Sequence, residues 1–317
     1  MDNGNQFSII RYPLSIMIFG DYRIETIPDA EFRLDGGAMF GVIPRVIWER
    51  VCPPDELNRI RLNTNCLFVE TPTEKILIET GIGDKWTEKE IQIYGIFRTK
   101  PFAETLFEKT GYQTEDISIV VNTHLHFDHA GGNTILEVEG RGSRAKKRQM
   151  IRNHSLTKTK DQRPIPQFPN ARYLVSKSEF EHAENPTERD RASYLSENWR
   201  PLQASGQLEL KLDNYEVVKG LTMKTVRGHN ATMQTFRFES VGDVVFGFAD
   251  LIPTRAHLPP AWIMSYDLFP TETLEVKKKL VSQALAEGWI CHFYHDFETP
   301  LCRLIEKDGK LNRTFTF

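Results

Sequence analysis

The sequence predicts an α/β fold in which two β-sheets pack face to face and helices cover their outer faces. Short, apolar, β-branched runs recur in both halves of the 317-residue chain, as expected for buried strands. In each half, segments with helical hydrophobic spacing accompany these strands. Strands with flanking helices, repeated in two similar halves, are typical of two packed sheets with helices outside.

The first half contains four predicted strands and one predicted helix. The strands cover residues 15–19, 66–70, 75–79 and 118–123, and the helix covers residues 101–109. The last of these strands, SIVVNT, is β-branched and apolar, and a cluster of histidines follows it directly. We therefore expect this strand to be buried and to present the histidines at its end.

The second half again contains short predicted strands accompanied by predicted helices. Its predicted strands cover residues 171–176, 208–212, 221–226, 234–238, 244–248 and 289–293. One predicted helix begins at residue 177, a second lies around residues 188–199, and a third covers residues 271–287. The last helix has the clearest pattern, because Leu274, Leu280 and Leu285 recur at helical spacing.

The composition is that of an ordinary soluble globular protein. The chain is 40% hydrophobic and 26% charged, with a formal net charge of −3, which argues against nucleic acid or an anionic membrane as a partner of the whole surface. No uncharged apolar run is long enough to span a bilayer, and residues 1–20 lack the pattern of a signal peptide. The four cysteines are widely spaced and indicate reduced thiols. We therefore expect one domain over residues 1–317 and a cytoplasmic location.

Residues 140–163 differ in amino-acid composition from the rest of the chain. They contain nine Lys or Arg residues against one Asp, with little apolar content, and predict an exposed, flexible insertion. A nucleic-acid-binding arm is the alternative interpretation. The insertion lacks interleaved aromatic residues for stacking on bases, so a solvated loop is the favoured interpretation.

The stretch THLHFDHAGG predicts a metal site. It places His124, His126, Asp128 and His129 within six positions after the strand 118–123. Residues two apart on an extended chain point to the same side, so His124 and His126 emerge together. Chance clustering and burial of satisfied histidines are the alternatives. Imidazoles with a carboxylate at one strand end suit a borderline metal such as zinc.

Three further candidate ligands follow predicted buried strands in the second half. They are His229, Asp250 and His295. Each taken alone is more often a loop residue than a ligand. Together with the motif they supply seven ligands, which is enough for two metal ions.

This pattern resembles the metallo-β-lactamase superfamily of hydrolases, and the likeness extends from residues 79–84 (ETGIGD) to residues 293–296 (FYHD). The resemblance implies an αβ/βα four-layer sandwich, two mixed β-sheets with outer helices, that holds a dinuclear centre. It further implies that one metal is held by His124, His126 and His229, that the other is held by Asp128, His129 and His295, and that Asp250 bridges them. The implied cofactors are two divalent ions, with Zn2+ first and Mn2+, Fe2+ or Co2+ as alternatives.

The ligand types narrow the implied branch. The β-lactam-cleaving members have no bridging carboxylate, so Asp250 argues against antibiotic hydrolysis. The flavodiiron branch has Glu in place of His126, which argues against redox iron. Lactonases, glyoxalase II-like thioesterases, methyl parathion hydrolase-type phosphotriesterases and RNase Z-like nucleases share the full set. Residues 35–49 and 249–270 resemble a less characterised group near the lactonases and the methyl parathion hydrolases.

The expected activity is hydrolysis of a small ester, lactone or related molecule by a metal-bridging hydroxide, with Asp128 as the proton shuttle. Phosphotriesterase, thioesterase or nucleic-acid phosphodiesterase activity is the alternative. The family has Asp where this chain has Glu79, which could still accept a hydrogen bond from a ligating imidazole. The tyrosine that assists the leaving group in N-acyl homoserine lactonases has no match near residues 253–254, so His257 or Tyr266 is expected to replace it. Either a substrate pocket or the core is expected to contain Met39, Phe40, Trp48, Trp262, Met264 and Phe269.

Overall fold

Two seven-stranded mixed sheets form the centre of the protein. The computed structural model describes residues 17–137, 162–307 and 310–314. The strands in chain order are β1 (Met17–Phe19), β2 (Tyr22–Asp35), β3 (Arg59–Glu70), β4 (Lys75–Ile78), β5 (Ile119–Val121), β6 (Thr134–Leu136), β7 (Pro164–Pro166), β8 (Arg172–Ser176), β9 (Leu208–Lys211), β10 (Asn214–Val218), β11 (Leu221–Thr225), β12 (Gln234–Ser240), β13 (Asp243–Gly247), β14 (Ile290–His292), β15 (Leu301–Lys307) and β16 (Lys310–Thr314).

The first sheet has the order β1-β2-β3-β4-β5-β8-β9, and the second has the order β10-β11-β12-β13-β14-β15-β16. In the first sheet β4, β5, β8 and β9 are parallel neighbours, and the pairs before them are antiparallel. In the second sheet only β13 and β14 form a parallel pair. The carboxyl ends of β4, β5 and β8 therefore meet at one edge of their sheet, and those of β13 and β14 meet at one edge of theirs.

Eight α-helices accompany the sheets in the described part of the chain. They are α1 (Gly36–Phe40), α2 (Arg45–Trp48), α3 (Glu88–Tyr94), α4 (Phe102–Thr110), α5 (Phe127–Ala130), α6 (Lys177–Glu184), α7 (Arg200–Ala204) and α8 (Pro270–Glu287). None of them is long and apolar enough to cross a membrane.

The alternation of side chains along the strands produces the layers. In β4, Ile76 and Ile78 belong to the core between the two sheets, whereas Leu77 faces the opposite way and packs with Phe102 and Leu106 of α4. On the far side, α8 covers the outer face of the second sheet with Leu280, Ala284 and other apolar residues. The layers are therefore helix, sheet, sheet and helix, and the predicted four-layer sandwich is confirmed.

One predicted element is contradicted by the structure, and several strands, of which β2 is the longest, were not predicted. The predicted helix around residues 188–199 is wrong: two 3₁₀ turns, Arg191–Ser193 and Ser196–Asn198, take its place. Between them Tyr194 is extended and forms a β-bridge with His126, which a continuous helix would prevent. The 14-residue strand β2 was not predicted, because its pattern is interrupted by Pro28 and by buried acidic residues. A register shift after Pro28 accommodates the proline.

The predicted basic insertion, residues 140–163, lies outside the described residues except at its end. Its flanks are well defined, because β6 and β7 pair antiparallel on either side of it. The amide of Glu137 also donates to the carbonyl of Arg163 at 2.8 Å. Backbone hydrogen bonds therefore join residues 134–137 to residues 163–166, next to the two ends of the insertion.

We predict that replacing residues 140–161 with a short Gly/Ser linker preserves the fold. Each halving of a loop changes the closure free energy by only ~0.6 kcal/mol, so the free energy of unfolding should change by about 1 kcal/mol or less. Chemical denaturation and metal analysis of both proteins would measure this. Loss of metal or a much larger destabilisation would show that the insertion packs on the sandwich.

Candidate metal centre

The histidine motif lies at the carboxyl end of β5, where the first sheet meets the second. His124 and His126 occupy the extended stretch after β5, and Asp128 and His129 lie in the short helix α5. Close backbone packing fixes this turn. The loop that follows β4 packs against this turn. A Cβ atom added to Gly131 would lie 2.2 Å from the carbonyl oxygen of Ile82, and one added to Gly132 would lie 2.1 Å from that of Thr80. Only glycine permits this approach, so the small residues after the motif hold it against that loop.

Three imidazoles and one carboxylate form the first cluster. His126 Nδ1 lies 3.0 Å from His124 Nε2 and 3.1 Å from His229 Nε2. Asp250 Oδ2 lies 3.4 Å from His229 Nε2 and 3.9 Å from His124 Nε2. All four side chains are buried. Such separations are those of ligand atoms around one ion with bonds of ~2 Å.

The second cluster contains Asp128, His129 and His295, and the other oxygen of Asp250 faces it. His295 Nε2 lies 3.3 Å from His129 Nε2 and 3.4 Å from Asp128 Oδ2. Asp250 Oδ1 lies 3.2 Å from both His129 Nε2 and His295 Nε2. The two oxygens of Asp250 therefore face different clusters, which is the arrangement of a bridging carboxylate. The structure brings all seven predicted ligands together.

Hydrogen bonds on the outer side of the imidazoles determine which nitrogen carries the proton. His229 Nδ1 lies 3.0 Å from Asp267 Oδ1, and His295 Nδ1 lies 2.9 Å from the carbonyl oxygen of Asn63. These acceptors keep the proton on Nδ1 and leave the Nε2 lone pair directed at the cluster. Asp267 was not predicted from the sequence, because its contact with His229 joins residues 38 positions apart and no local pattern marks it.

Glu79 orients two further ligands, as the sequence suggested. Its carboxylate accepts from Nδ1 of His129 at 3.2 Å, and it also accepts from the hydroxyl of Thr123. That hydroxyl lies 3.0 Å from Nδ1 of His124, so Glu79 acts on His124 through Thr123. Glu79 has a φ of +64°, a strained value for a non-glycine residue that its several hydrogen bonds help to maintain.

The donor set fits a divalent metal. Burial first, and then the positive charge of neighbouring imidazoles, lowers the pKa of His124 and His126 well below 6.5, which keeps them neutral. Burial opposes ionisation of Asp250, yet the facing imidazoles, His129 foremost, hold its pKa well below its usual value. Burial opposes protonation of His129 and His229, yet the charge of Asp250 raises the pKa of both imidazoles, so a metal ion would take the place of a proton beside Asp250. Buried carboxylates beside the imidazoles complete a zinc-type donor set.

His257 does not face the clusters. It is fully buried, with Nδ1 at 2.7 Å from the Thr254 hydroxyl and Nε2 at 2.8 Å from the Met39 carbonyl oxygen. The carbonyl can only accept, so Nε2 carries the proton and Nδ1 accepts from Thr254. Both ring nitrogens are engaged in the protein, which argues against the predicted catalytic role. We assign His257 a structural role.

The phenol of Tyr266 lies within electrostatic range of Asp128. Its side chain is 40% exposed. Burial first, and then the charges of Asp35 and Asp128, raises the pKa of Tyr266 to about 12. Burial first, and then the charge of Asp128, raises the pKa of Tyr94 of α3. The ring of Tyr94 packs against that of Phe127, with the centroids 5.3 Å apart. Two phenols that are protonated at neutral pH therefore lie within electrostatic range of Asp128.

The predicted pocket residues fall into two groups. Met39, Phe40, Trp48 and Met264 are buried in one core cluster, so core packing is the correct interpretation for them. Trp262 and Phe269 are only partly buried. The ring of Phe269 lies under the guanidinium of Arg227 at 3.6 Å, which occupies one of its faces.

A helix–sheet–sheet–helix sandwich with two His/Asp clusters at its strand ends defines the class of metallo-β-lactamase-fold proteins. Residues 59–141 match the sequence profile of the Metallo-beta-lactamase superfamily. The chain is 25% identical over 254 residues to an N-acyl homoserine lactonase of Bacillus cereus, covering 76% of this chain and 84% of the relative. A second N-acyl homoserine lactonase, from Bacillus sp., is 25% identical over 186 residues, and the chain spans 58% of its length.

Solved structures agree with this class. A probable metal-dependent hydrolase from Staphylococcus aureus superposes with a TM-score of 0.79 at 27% identity, covering 95% of this chain and all of the other. AidC, a dizinc quorum-quenching lactonase, superposes with a TM-score of 0.70 at 19% identity, covering 94% of this chain and 96% of the other. The chain carries a metallo-β-lactamase superfamily domain, and the relatives and neighbours compared with it are hydrolases. The predicted family is confirmed.

We predict that His257→Gln reduces the acid sensitivity of the protein. Burial lowers the pKa of His257 to about 3 from 6.5, so the unfolded chain binds a proton there that the folded protein does not. The stability that neutral His257 contributes is present above pH 6.5 and is lost as the pH falls towards 3. The free energy of unfolding of the wild type should therefore fall more steeply than that of the variant over this range.

Chemical denaturation of both proteins at a series of pH values would test this, since metal loss affects both and cancels in the difference. Parallel pH profiles would contradict the structural assignment. Loss of catalytic turnover at neutral pH with unchanged stability would restore the catalytic one.

Proposed function

We propose that the protein is a dinuclear metal-dependent hydrolase of small esters or lactones. One observation carries the proposal: the two oxygens of Asp250 face two separate clusters of ligand atoms. Two divalent ions held there, Zn2+ first among them, would supply a water that ionises near neutral pH and positive charge for the oxygen of the scissile bond. The first cluster would hold one ion by three imidazoles, and the second would hold the other by Asp128, His129 and His295.

Asp128 is the residue we assign to proton transfer. One of its oxygens faces His295 at 3.4 Å, which leaves the other free to accept a hydrogen bond from the attacking water. The hydroxyl of Tyr294 donates to the backbone carbonyl of Asp128 at 2.7 Å and fixes the main chain at this point. A carboxylate held in this way can take the proton of the water and pass it to the leaving group.

Tyr266 is the candidate for the group that assists the leaving alkoxide. Since both ring nitrogens of His257 are engaged elsewhere, Tyr266 is the remaining one of the two residues that the sequence suggested. Its raised pKa keeps the phenol protonated at neutral pH, as a hydrogen-bond donor requires. It is also exposed enough to meet a substrate.

The substrate class is proposed from the aromatic residues beside the centre and from the lactonase relative. Phe127 lies between two proposed ligands in sequence and packs with Trp86 and Tyr94, at ring separations of 5.5 and 5.3 Å. Phe127 and Trp86 are buried in the same core cluster as Met39 and Phe40. The partly buried Tyr94 is therefore the one of the three that can meet a substrate, and its ring favours an apolar acyl or aryl group. The lactonase relative supports an ester bond of the lactone type.

We predict that the wild type binds close to two divalent ions per chain and that Asp250→Ala does not. Removal of the bridging carboxylate takes one anionic ligand from each cluster, so both ions should bind more weakly. Elemental analysis after dialysis against metal-replete buffer measures the count. Asp243→Ala, which changes an aspartate at the start of β13 that pairs with Arg303, is the control. A wild type with a single ion, or a variant that retains two tightly, would refute the bridging role.

We also predict that Asp128→Asn retains much of the metal but loses activity. An amide oxygen still coordinates weakly, whereas it cannot take a proton, so turnover should fall by roughly two to four orders of magnitude. Turnover would be measured on lactones, thioesters, phosphotriesters and RNA. Near-normal turnover would remove Asp128 from the mechanism. Preference for RNA over every small substrate would replace the proposed substrate class.

A further inference from the structure

His126 differs from the other ligating imidazoles in how it is held. Its Nδ1 atom faces the first cluster, but its buried Nε2 atom has no hydrogen-bond partner among the described residues. Its ring instead packs on the ring of Tyr194, with the centroids 4.7 Å apart, and the backbones of the two residues form a β-bridge. The orientation of His126 therefore depends on the backbone around it and on Tyr194.

The carboxylate of Glu179 fixes both of these supports. Glu179 lies in the first turn of α6, where its amide donates to the capping hydroxyl of Ser176. One of its oxygens accepts from the amide of Leu125 at 2.8 Å and from the hydroxyl of Tyr194 at 3.1 Å. Leu125 is the residue between His124 and His126, so this hydrogen bond sets the backbone that presents both imidazoles.

The second oxygen of Glu179 reaches the segment that carries His229. It accepts from the amide group of Asn230 at 3.3 Å and from the hydroxyl of Thr232. Asn230 follows His229 directly, and its side chain also donates to the hydroxyl of Tyr194 at 3.0 Å. One carboxylate thus links the segment after β5 in the first sheet to the segment between β11 and β12 in the second.

This network serves only one of the two clusters. The imidazoles of the second cluster donate their outer hydrogen bonds elsewhere, His129 to Glu79 and His295 to the carbonyl of Asn63. Glu179 itself is fully buried, and within the described residues no lysine or arginine forms an ion pair with it. Burial of an unpaired carboxylate is costly, and its four donors offset that cost.

We infer that Glu179 is a positioning residue for the metal site formed by His124, His126 and His229, which it holds in register across the two sheets. This inference deepens the proposed function and rests on it. Loss of the carboxylate should weaken one metal site and leave the other nearly unchanged.

The decisive variant is Glu179→Gln. A carboxamide keeps the shape of the side chain but places its NH2 group opposite one of two donors. These are the backbone N–H of Leu125 and the side-chain NH2 of Asn230, and neither can accept a hydrogen bond. We expect the affinity of one site for Co2+ to fall about 10- to 100-fold, as is typical when a hydrogen-bond partner of a ligand is lost, and the other to change about twofold or less.

The two affinities would be measured on the full-length protein by competition with a chromophoric chelator. The Co2+ absorption bands would be recorded in parallel. His126→Ala identifies the constant that belongs to the first site. Glu25→Gln is the matched control, because Glu25 is equally buried but pairs with Lys109. If Glu179→Gln does not fold, Thr232→Val is used in its place. This variant removes one hydrogen-bond donor to Glu179 and should weaken the same site several-fold.

The outcomes separate the two proposals. A wild type that binds only one ion contradicts the proposed function itself. A wild type with two ions, together with a Glu179→Gln variant that retains both constants, overturns the role of Glu179 alone. A parallel fall of both constants, matched by Glu25→Gln, would show that Glu179 is merely structural.

Discussion

The contact of one carboxylate with two clusters is the interaction on which the site depends. Asp250 lies in the 3₁₀ turn Ala249–Leu251 shortly after β13, and Ala249 before it adopts a φ of +46°. His295 leaves the second sheet close by, since β14 runs parallel to β13. The motif residues come from the first sheet. The centre therefore forms only when the two sheets are packed together, and metal binding is linked to folding of the whole sandwich.

Buried acidic groups, rather than the ligands alone, determine the geometry of the centre. Glu79, Asp267 and Glu179 each accept hydrogen bonds from groups that carry or adjoin a ligating imidazole. The three come from different elements, and each lies near the end of a strand or the start of a helix. A charged acceptor at such a position is expensive to bury, so it fixes one arrangement of its donors and excludes others. Glu79 supports His129 of the second cluster and, through Thr123, His124 of the first, whereas the hydrogen bonds of Glu179 reach only segments that carry residues of the first cluster.

The limits of prediction from the sequence appear most clearly in the region after α6. Residues 188–199 have a pattern that suits a helix, yet the pairing of Tyr194 with His126 holds that residue extended. Local spacing cannot reveal a partner that lies far away along the chain. The same reason explains the missed strand β2, whose buried Glu25 and Asp29 are neutralised by Lys109 and Arg98 of later segments.

From the sequence alone, strand and helix patterns predicted the layer order and the HxHxDH spacing identified four candidate ligands, because both are local properties of the chain. The family, and the inclusion of His229, Asp250 and His295 in one site, came from the resemblance of the whole pattern to the metallo-β-lactamase superfamily. Only the tertiary structure shows the contacts of His257, Tyr194 and Glu179. His257 is separated from Met39 by 218 residues, and the hydrogen bond between them supports the structural role that we assign to a residue predicted as catalytic. Such contacts depend on how the two sheets pack, and no local pattern encodes the distance between side chains that the fold brings together.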